Sequence, residues 1–461
     1  MRVRCLPLAL TTCLCAAFVF LESLPAFALW TTQQETYSLE LGGSVRSIDV
    51  LIDNYNEPLV FGEDNEYDGI SQIIARLTGT GRITDNGSYD VHLVQDVQYS
   101  SADSEMDSFG YSGISTTALR YRIRDPLKQW DDDDDVSATL DFDRLNFKLV
   151  LGRIDLTVGR QAINFSQAYF WNPLDIFLAF DPETFDRDYK PGVDAIRSDI
   201  SLGMFSSLTF VYAPGRELTI ETGTTGVEVS TKNFDDESWY GSALMGRLRT
   251  TIRDWDIVFQ GGKIYGGSQI GAGFSGELFE IGLRGEASYV FAGDKRTLNL
   301  PDPEQADFSR EIELVEDHTA FVIGADYRFD NSLYINVEYL YNSAGDADDL
   351  EAGIVRQAIG EGLSLGEQLA GVQVSYDIHP LVTGQIAAIH SFSDASSLVC
   401  PLVKVSISDE ADLLLGGLLA FGERPETKRI NLLGLPIEYP KLESEYGTYP
   451  HVYYLEFKFY F

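Results

Sequence analysis

The chain consists largely of segments of roughly ten residues in which apolar and polar side chains alternate. Residues 321–329, 333–342 and 453–461 show the alternation most clearly. In the last segment one face carries Tyr453, Leu455, Phe457, Phe459 and Phe461, and the other carries Tyr454, Glu456, Lys458 and Tyr460. Because successive side chains of a strand point to opposite faces, each segment predicts a β-strand with one apolar and one polar face.

The connections between these strands distinguish two folds. In a soluble β-sandwich the apolar faces meet in a core, whereas in a membrane barrel they face lipid. Short turns are predicted at Asp85-Asn86-Gly87, Gly152-Arg153, Phe205-Ser206, Arg253-Asp254, Gly276-Glu277, Asp330-Asn331, His379-Pro380 and Asp409-Glu410. Long acidic stretches separate them, near residues 51–69, 100–136, 162–191, 214–238, 292–317, 342–366 and 422–449. Short turns at one end and long loops at the other predict a transmembrane barrel, although the outer connections near Gly267 and Asp394 are brief.

The fold class predicted from this pattern is all-β, a transmembrane antiparallel β-barrel with short periplasmic turns and long extracellular loops. The pattern predicts 18 strands, with 16 as the alternative. A barrel of either size is wide enough to leave an aqueous lumen. After residue 28, no apolar run approaches the ~18 residues that a spanning helix needs.

The first 28 residues have the layout of a secretory signal. Arg2 and Arg4 form a positive start, an apolar run follows, and Ala26-Phe27-Ala28 supplies a small-x-small cleavage site. The prediction is a signal peptide over residues 1–28 and one barrel domain over residues 29–461. A lipoprotein cysteine at Cys13 or Cys15 is the alternative.

The charge of the chain excludes one class of partner. Its formal net charge is −37, so it repels nucleic acid at long range. After removal of the predicted signal only Cys400 remains, which leaves no internal disulfide and no cysteine pair for a metal or haem. We therefore expect no nucleic-acid partner and no cofactor.

The most distinctive stretch is Leu156 to Arg197, which contains a G-R-Q-x-I motif and an N-P-x-D motif. It resembles bacterial outer-membrane porins, including the alginate-export-type barrels, and the final strand ending in Phe461 resembles the terminal strand that the barrel assembly machinery reads. The matching residues are Gly159, Arg160, Gln161, Ile163, Asn172, Pro173, Asp175, Arg187, Lys190 and Gly192.

The resemblance implies that the loop at residues 162–191 folds into the barrel and narrows the pore. Its many aromatic residues support this, because a free extracellular loop would leave them exposed to water. The predicted constriction residues are Arg160, Asp175, Asp186, Arg187, Asp188 and Lys190. Opposite charges projecting into the lumen would select hydrated solutes. In the alternative, the charges only hold a packed loop together through salt bridges. Arg160 has the parity of the lipid-facing Leu156 and Val158, so it lies beyond the bilayer or is turned inward by a bulge at Gly159.

Strand parity also predicts side chains that face the lumen. These are His92, Asp96, Lys148, Asp326, Arg328, Glu338, Glu456 and Lys458. Each is expected to belong to an interior network of salt bridges and water. Because acidic residues are in excess, we predict a mild preference for cations, and a polyanion such as alginate is an unfavourable solute.

Two further segments carry predictions. Asp131, Asp132, Asp133, Asp134 and Asp135 form a carboxylate run, which predicts a solvated loop or, alternatively, a site for a divalent cation. Residues 349–361 have the apolar stripe of a short helix within an outer loop, with a pore plug as the alternative.

These observations favour a passive channel for small hydrophilic solutes, with membrane lipid and the assembly machinery as partners. A barrel enzyme would need a Ser–His pair, and His390 lies beside Ser391 and Ser393, which project to the opposite face of the strand. A sheath around a multihaem cytochrome and a substrate-specific exporter or importer remain as alternatives. A TonB-dependent transporter is disfavoured, because no plug domain precedes the first strand.

Overall fold

The computed structural model describes residues 30–34, 37–55, 66–101, 120–123, 127–131, 136–177, 189–217, 219–222, 227–230, 237–293, 296–301, 309–360, 362–432 and 435–461. The predicted signal peptide lies outside these residues. Among them, no helix is long and apolar enough to cross a membrane.

Eighteen long strands form one closed antiparallel barrel. In chain order they are β1 (Ser38–Asp53), β2 (Tyr67–Thr84), β3 (Gly87–Ser100), β4 (Val136–Leu151), β5 (Ile154–Gln161), β6 (Val193–Ser201), β7 (Ser206–Arg216), β8 (Glu237–Ile252), β9 (Trp255–Ile264), β10 (Gly267–Leu278), β11 (Ile281–Ala292), β12 (His318–Arg328), β13 (Tyr334–Asn342), β14 (Gln368–His379), β15 (Val382–Ser391), β16 (Ser397–Ser408), β17 (Ala411–Phe421) and β18 (His451–Tyr460). Each strand pairs with the next one along the chain, and β18 pairs with β1. The predicted all-β antiparallel barrel and its number of 18 strands are confirmed.

The seam between β1 and β18 runs from the pair Ser44–Tyr460 to the pair Asp53–His451. Beyond it Gly43 N–H donates to Phe461 O (2.7 Å) and Phe461 N–H donates to Gly43 O (3.0 Å). A side chain at position 43 would meet the Phe461 ring, so a glycine is required here. A short strand, Trp30–Gln33, continues the pairing with β1 where β18 stops.

The two faces of the wall differ as the alternation predicts. On β12 the outward Ile323 is 56% exposed while the inward Val322 is buried, and on β13 the outward Val337 is exposed while Asn336 and Glu338 are buried. An apolar outer surface of this kind is stable only when lipid or another apolar phase covers it.

One predicted turn is displaced along the chain. Gly276 and Glu277 lie within β10, and the turn to β11 is formed by Phe279 and Glu280, which have φ values of 51° and 67°. Gly276 packs against the Trp255 ring on the neighbouring strand, where a side chain would clash. The glycine therefore marks a close contact in the sheet, and two non-glycine residues adopt the left-handed conformation of the two-residue turn.

The remaining described elements lie between barrel strands. Three two-stranded hairpins pair Thr219–Thr222 with Val227–Ser230, Thr297–Pro301 with Ser309–Glu313, and Glu426–Leu432 with Leu435–Lys441. Lys128–Asp131 pairs with β4. The helix predicted at residues 349–361 is present as α1 (Leu350–Ala358), capped by the Asp349 carboxylate, which accepts a hydrogen bond from Ala352 N–H (3.1 Å).

Candidate functional site

Residues 162–177 follow β5 and lie against the inward face of the wall. We call this stretch the lumen segment. It begins with a local turn, in which Ser166 N–H donates to Asn164 Oδ1 (2.9 Å). Its hydrogen bonds to the wall run to strands β9, β10, β11 and β13, and we call the part of the wall from β8 to β14 the receiving wall.

Two wall glutamates hold the backbone of the lumen segment. Glu286 on β11 accepts hydrogen bonds from Gln167 N–H (2.5 Å, Oε1) and Leu174 N–H (3.1 Å, Oε2). Glu338 on β13 accepts from Tyr169 N–H (2.6 Å, Oε1) and from Phe170 N–H (2.7 Å, Oε2). Both carboxylates are buried. Four backbone donors of an irregular segment therefore have charged acceptors inside the barrel.

Two wall glutamines complement the glutamates by donating to backbone carbonyls. Gln260 Nε2–H on β9 donates to Leu174 O (2.8 Å), and Gln269 Nε2–H on β10 donates to Pro173 O (3.0 Å). The Gln260 amide also donates to Gln269 Oε1 (2.9 Å), so each glutamine orients the other.

Glycines on the receiving wall make room for the segment. A Cβ on Gly271 would lie 2.4 Å from the Leu174 side chain, and one on Gly371 would lie 2.6 Å from the Phe170 ring. These inward positions therefore require glycine because the segment packs directly on the backbone of the strands.

Aromatic side chains anchor both arms of the segment in apolar clusters. Phe165 and Phe177 pack edge to face with ring centroids 5.7 Å apart, beside inward residues such as Met245 and Val211. Phe170 and Trp171 belong to a second cluster with Leu340 and other inward residues. Each aromatic pair contributes about 0.5–1.5 kcal/mol beyond the area that it buries.

The predicted constriction charges that the structure describes are paired. Lys190 Nζ lies 2.5 Å from Asp175 Oδ2, and both side chains are buried. Burial lowers the pKa of Lys190, and the Asp175 carboxylate opposes this shift. Neither charge projects into open lumen, because each needs the other once it is desolvated. Asp186, Arg187 and Asp188 lie outside the described residues.

Arg160 is also buried in ion pairs. Its guanidinium Nε lies 2.9 Å from Asp194 Oδ1, and NH1 lies 3.0 Å from Asp141 Oδ1. The strand ladder runs through Gly159 and Arg160 without a register shift, so no bulge turns the arginine. Instead Gly159 has φ +114°, a conformation that favours glycine.

A charge network lies where the chain returns to the wall. Asp143 on β4 accepts from Arg76 NH1 (2.6 Å), from Arg144 NH1 (2.9 Å) and from Gly192 N–H (3.0 Å). Arg76 also lies over the Tyr189 ring, 4.1 Å from its centroid. The bulge in β4 opposite His92 and Leu93 gives Asp143 this position.

The other predicted lumen-facing residues mostly have partners on the wall. Asp96 accepts from Gln72 (2.8 Å), Lys148 pairs with Asp155 (2.7 Å), Asp326 pairs with Arg284, Glu456 pairs with Arg46, and Lys458 lies 3.8 Å from Glu456. His92 Nε2 lies 3.0 Å from Asp90. Arg328 is exposed at the end of β12 and lies over the Tyr334 ring.

The aspartate run can be placed only in part. The backbone of Asp131 lies in the strand that pairs with β4, and Asp132, Asp133, Asp134 and Asp135 are outside the described residues. Within the part of the chain that the structure describes, no group of carboxylate, histidine or cysteine side chains could hold a metal ion.

A cavity of about 380 Å³ lies beside the start of the lumen segment. The segment lines it with Asn164, Phe165, Ser166 and Gln167, and the wall lines it with two ion pairs, Arg197–Asp199 and Arg249–Asp256. Arg247 also lines it, donates to Gln260 Oε1 (2.7 Å) and lies over the Phe165 ring. The cavity is therefore polar and carries both signs of charge.

Sequence reasoning missed Glu286, Gln260, Gln269 and the inward glycines. The available signal was weak: Glu286 on β11 has small neighbours in glycine, alanine and serine, but Arg284 lies on the same face of the strand and could have been its partner. Strand parity predicted that Glu338 faces the lumen. It did not predict that the Glu338 carboxylate accepts hydrogen bonds from backbone N–H groups.

Comparison with known structures supports the fold. The chain is similar to Acinetobacter baumannii OccAB3 (10% identity, 92% of this chain and 99% of that chain, TM-score 0.51) and to Pseudomonas aeruginosa OccK8 (OprE) (10% identity, 92% and 98%, TM-score 0.54). It is also similar to a BenF-like porin from Pseudomonas fluorescens Pf-5 (9% identity, 92% and 98%, TM-score 0.51). No family model and no curated protein sequence matches the chain.

Proposed function

We propose that the chain is an outer-membrane porin, a passive channel for small hydrophilic solutes in which the lumen segment narrows the pore. The proposal rests on the position of the lumen segment. A closed barrel with an apolar outer face holds this segment against its polar inner wall. A wall of 18 strands encloses more space than its own side chains fill, so a segment lying inside narrows a passage without being needed to fill a core.

The free face of the lumen segment is polar and carries no charge. Asn164 is exposed, and Ser166, Gln167 and Tyr169 are half-buried, whereas Asp175 is turned into its ion pair. Uncharged hydrogen-bonding groups at a narrow point can replace part of the water shell of a hydrophilic solute. We therefore propose that the segment restricts solutes by size and hydrogen bonding.

We propose a mild preference for cations that originates in the net charge of the whole chain. The described lumen charges are largely paired, which leaves little local field at the narrow point. The formal charge of −37 raises the concentration of cations at the mouths of the channel. This preference should weaken as salt rises, because screening shortens the range of the field.

The direct test is the single-channel conductance and ion selectivity of the purified mature protein in a planar bilayer. The proposal predicts stable open steps and a potassium permeability above that of chloride at low salt. A folded barrel that never conducts would overturn it and would favour the alternative of a barrel whose lumen is filled by a partner.

The resemblance of residues 156–197 to alginate-export-type barrels rests on the motifs alone. Arg160 in this region is buried against Asp141 and Asp194 and is therefore not available to a polyanion. We retain small solutes as the proposed cargo.

A further inference from the structure

We propose that Glu286 and Glu338 are positioning residues that set the width of the channel by holding the lumen segment through its backbone. This inference rests on the proposed porin function. It assigns the control of pore width to side chains of the wall, which lie more than a hundred residues away from the segment in the sequence.

The two glutamates hold different parts of one turn. Glu286 binds Gln167 and Leu174, which are seven residues apart, and so closes the base of the turn with one carboxylate. Glu338 binds Tyr169 and Phe170 at the tip. With base and tip both held on the wall, the segment cannot swing towards the axis unless these hydrogen bonds break.

The receiving wall is shaped around this arrangement. Gly324 on β12 lies between the two strands that carry the glutamates, and a Cβ there would be 2.6 Å from Glu338 Cγ. The glycine gives the Glu338 side chain room to lie across the neighbouring strand. On β10, Gly271 leaves space for the Leu174 side chain in the same way.

The two carboxylates accept hydrogen bonds from backbone N–H groups of the segment. Glu286 is 3% exposed and Glu338 is 1% exposed, so each must be satisfied inside the barrel. Since each carboxylate oxygen accepts a different N–H group, a neutral amide cannot substitute. A glutamine would turn one NH₂ group towards a backbone donor and lose that hydrogen bond.

The test uses the isosteric variants Glu286→Gln, Glu338→Gln and the double variant in the full chain. The measurements are single-channel conductance and the largest polyethylene glycol that enters the pore. We expect the single variants to conduct with greater current noise, and the double variant to admit larger polymers than the wild type. The variant Glu338→Asp, which keeps two acceptor oxygens on a shorter side chain, should be closer to the wild type than Glu338→Gln.

Asp412→Asn is the matched control. Asp412 is a carboxylate on β17 that pairs with Lys404 (2.8 Å) and accepts from Ser406 (2.7 Å) on the neighbouring strand. It should leave the polymer cut-off unchanged. Equal conductance and equal cut-off in the wild type, the control and the double variant, all folded by heat-modifiable gel migration, would overturn the inference.

Amide hydrogen exchange separates this inference from the porin proposal. In the double variant the amides of Gln167, Tyr169, Phe170 and Leu174 should exchange at least about tenfold faster than in the wild type. Faster exchange in a barrel whose wild type does not conduct would keep the glutamates as holders of the segment and overturn the channel function. Unchanged exchange would overturn the inference whatever the conductance.

Discussion

The receiving wall and the opposite wall at the seam use inward polar residues in different ways. On the receiving wall Glu286 and Glu338 bind the backbone of another segment. Inward glycines on the neighbouring strands leave room for this arrangement. At the seam, Arg46 binds Glu456 on the adjacent strand (Nε–Oε1, 2.9 Å), and beside the seam Gln72 on β2 binds Asp96 on β3 (2.8 Å). In this part of the wall, polar side chains therefore pair with each other and not with the backbone of another segment.

The difference shows what a barrel needs in order to hold a segment inside. Arg46, Glu456 and Gln72 are buried, and each pairs with a side chain on an adjacent strand, as a desolvated polar group must. A wall that receives a segment must accept backbone N–H groups and donate to backbone C=O groups, since these cannot be left unpaired. Substitutions on the two walls should therefore have unequal effects.

The largest effect is expected for Lys190→Met, which leaves the Asp175 carboxylate buried without its counter-charge. Breaking one side of such a pair costs ~3–5 kcal/mol. The segment should lose protection in amide exchange near Phe177 and Asp175. The double variant Lys190→Met with Asp175→Asn should recover most of this protection, and equal losses in the single and double variants would contradict the role of the pair.

A smaller effect is expected for Gly371→Leu on the receiving wall. The new side chain overlaps the Phe170 ring, and overpacking of this kind costs ~1–3 kcal/mol. The tip of the segment should move off the wall, which a changed conductance would report. Gly261→Ala is the control, because a Cβ there meets its nearest neighbour at an ordinary 3.5 Å. The same conductance in both variants would show that position 371 does not control the segment.

Glu445 lies in the connection between β17 and β18, outside the wall, and also binds backbone N–H groups of another segment. It is buried and accepts from Leu365 N–H (3.1 Å) and Gly366 N–H (3.0 Å), and its own N–H donates to Asp394 Oδ2 (2.6 Å). Burial raises the pKa of Glu445 to about 7, against the two backbone hydrogen bonds and with the help of the Asp394 charge. We call the arrangement with Glu445 buried on Leu365 and Gly366 closed, and one with Glu445 exposed to water open. Because its pKa is raised, the closed arrangement binds a proton more tightly than the open one.

The sign of the pH effect follows from this linkage. Between the ordinary pKa of a glutamate and about 7, falling pH favours the closed arrangement, and this stabilisation is lost as pH rises through 7. From pH 8 to pH 6 the closed population should gain about tenfold over the open one. Amide exchange at Leu365 and Gly366 measures it, with Glu445→Gln as the pH-independent control. Exchange that slows towards pH 8, after correction for intrinsic rates, would contradict the assignment.

The smallest effect is expected for Lys148→Met. Its ion pair with Asp155 (2.7 Å) is half-exposed, and such pairs contribute ~0–1 kcal/mol. Conductance and the polymer cut-off should match the wild type. A change as large as that of Gly371→Leu would remove the distinction between the two classes of lumen residue.

The fold could be predicted from sequence because alternation is a local property. The faces of residues 321–329 and 333–342 follow from the period of two alone, and the strand number follows from counting such segments. The turn at Phe279–Glu280 was misplaced because Gly276 carries the usual turn signal but serves a contact with Trp255.

The site could be predicted only in part because its contacts are distant in sequence. Apolar content indicated that residues 162–177 are buried, yet Leu174 and Glu286 are 112 residues apart, and only closure of the barrel brings them together. Strand parity could not predict where the Asp175 and Lys190 side chains point, since both residues lie outside the regular strands. Their burial as a pair depends on the packing around them.

The most direct test of the lumen segment as the constriction is the single-channel conductance of a folded barrel in which residues 165–185 are replaced by a short glycine linker. We expect a conductance above that of the wild type and entry of larger polymers, because the deletion removes most of the segment that narrows the lumen. An unchanged conductance in a properly folded deletion variant would contradict it.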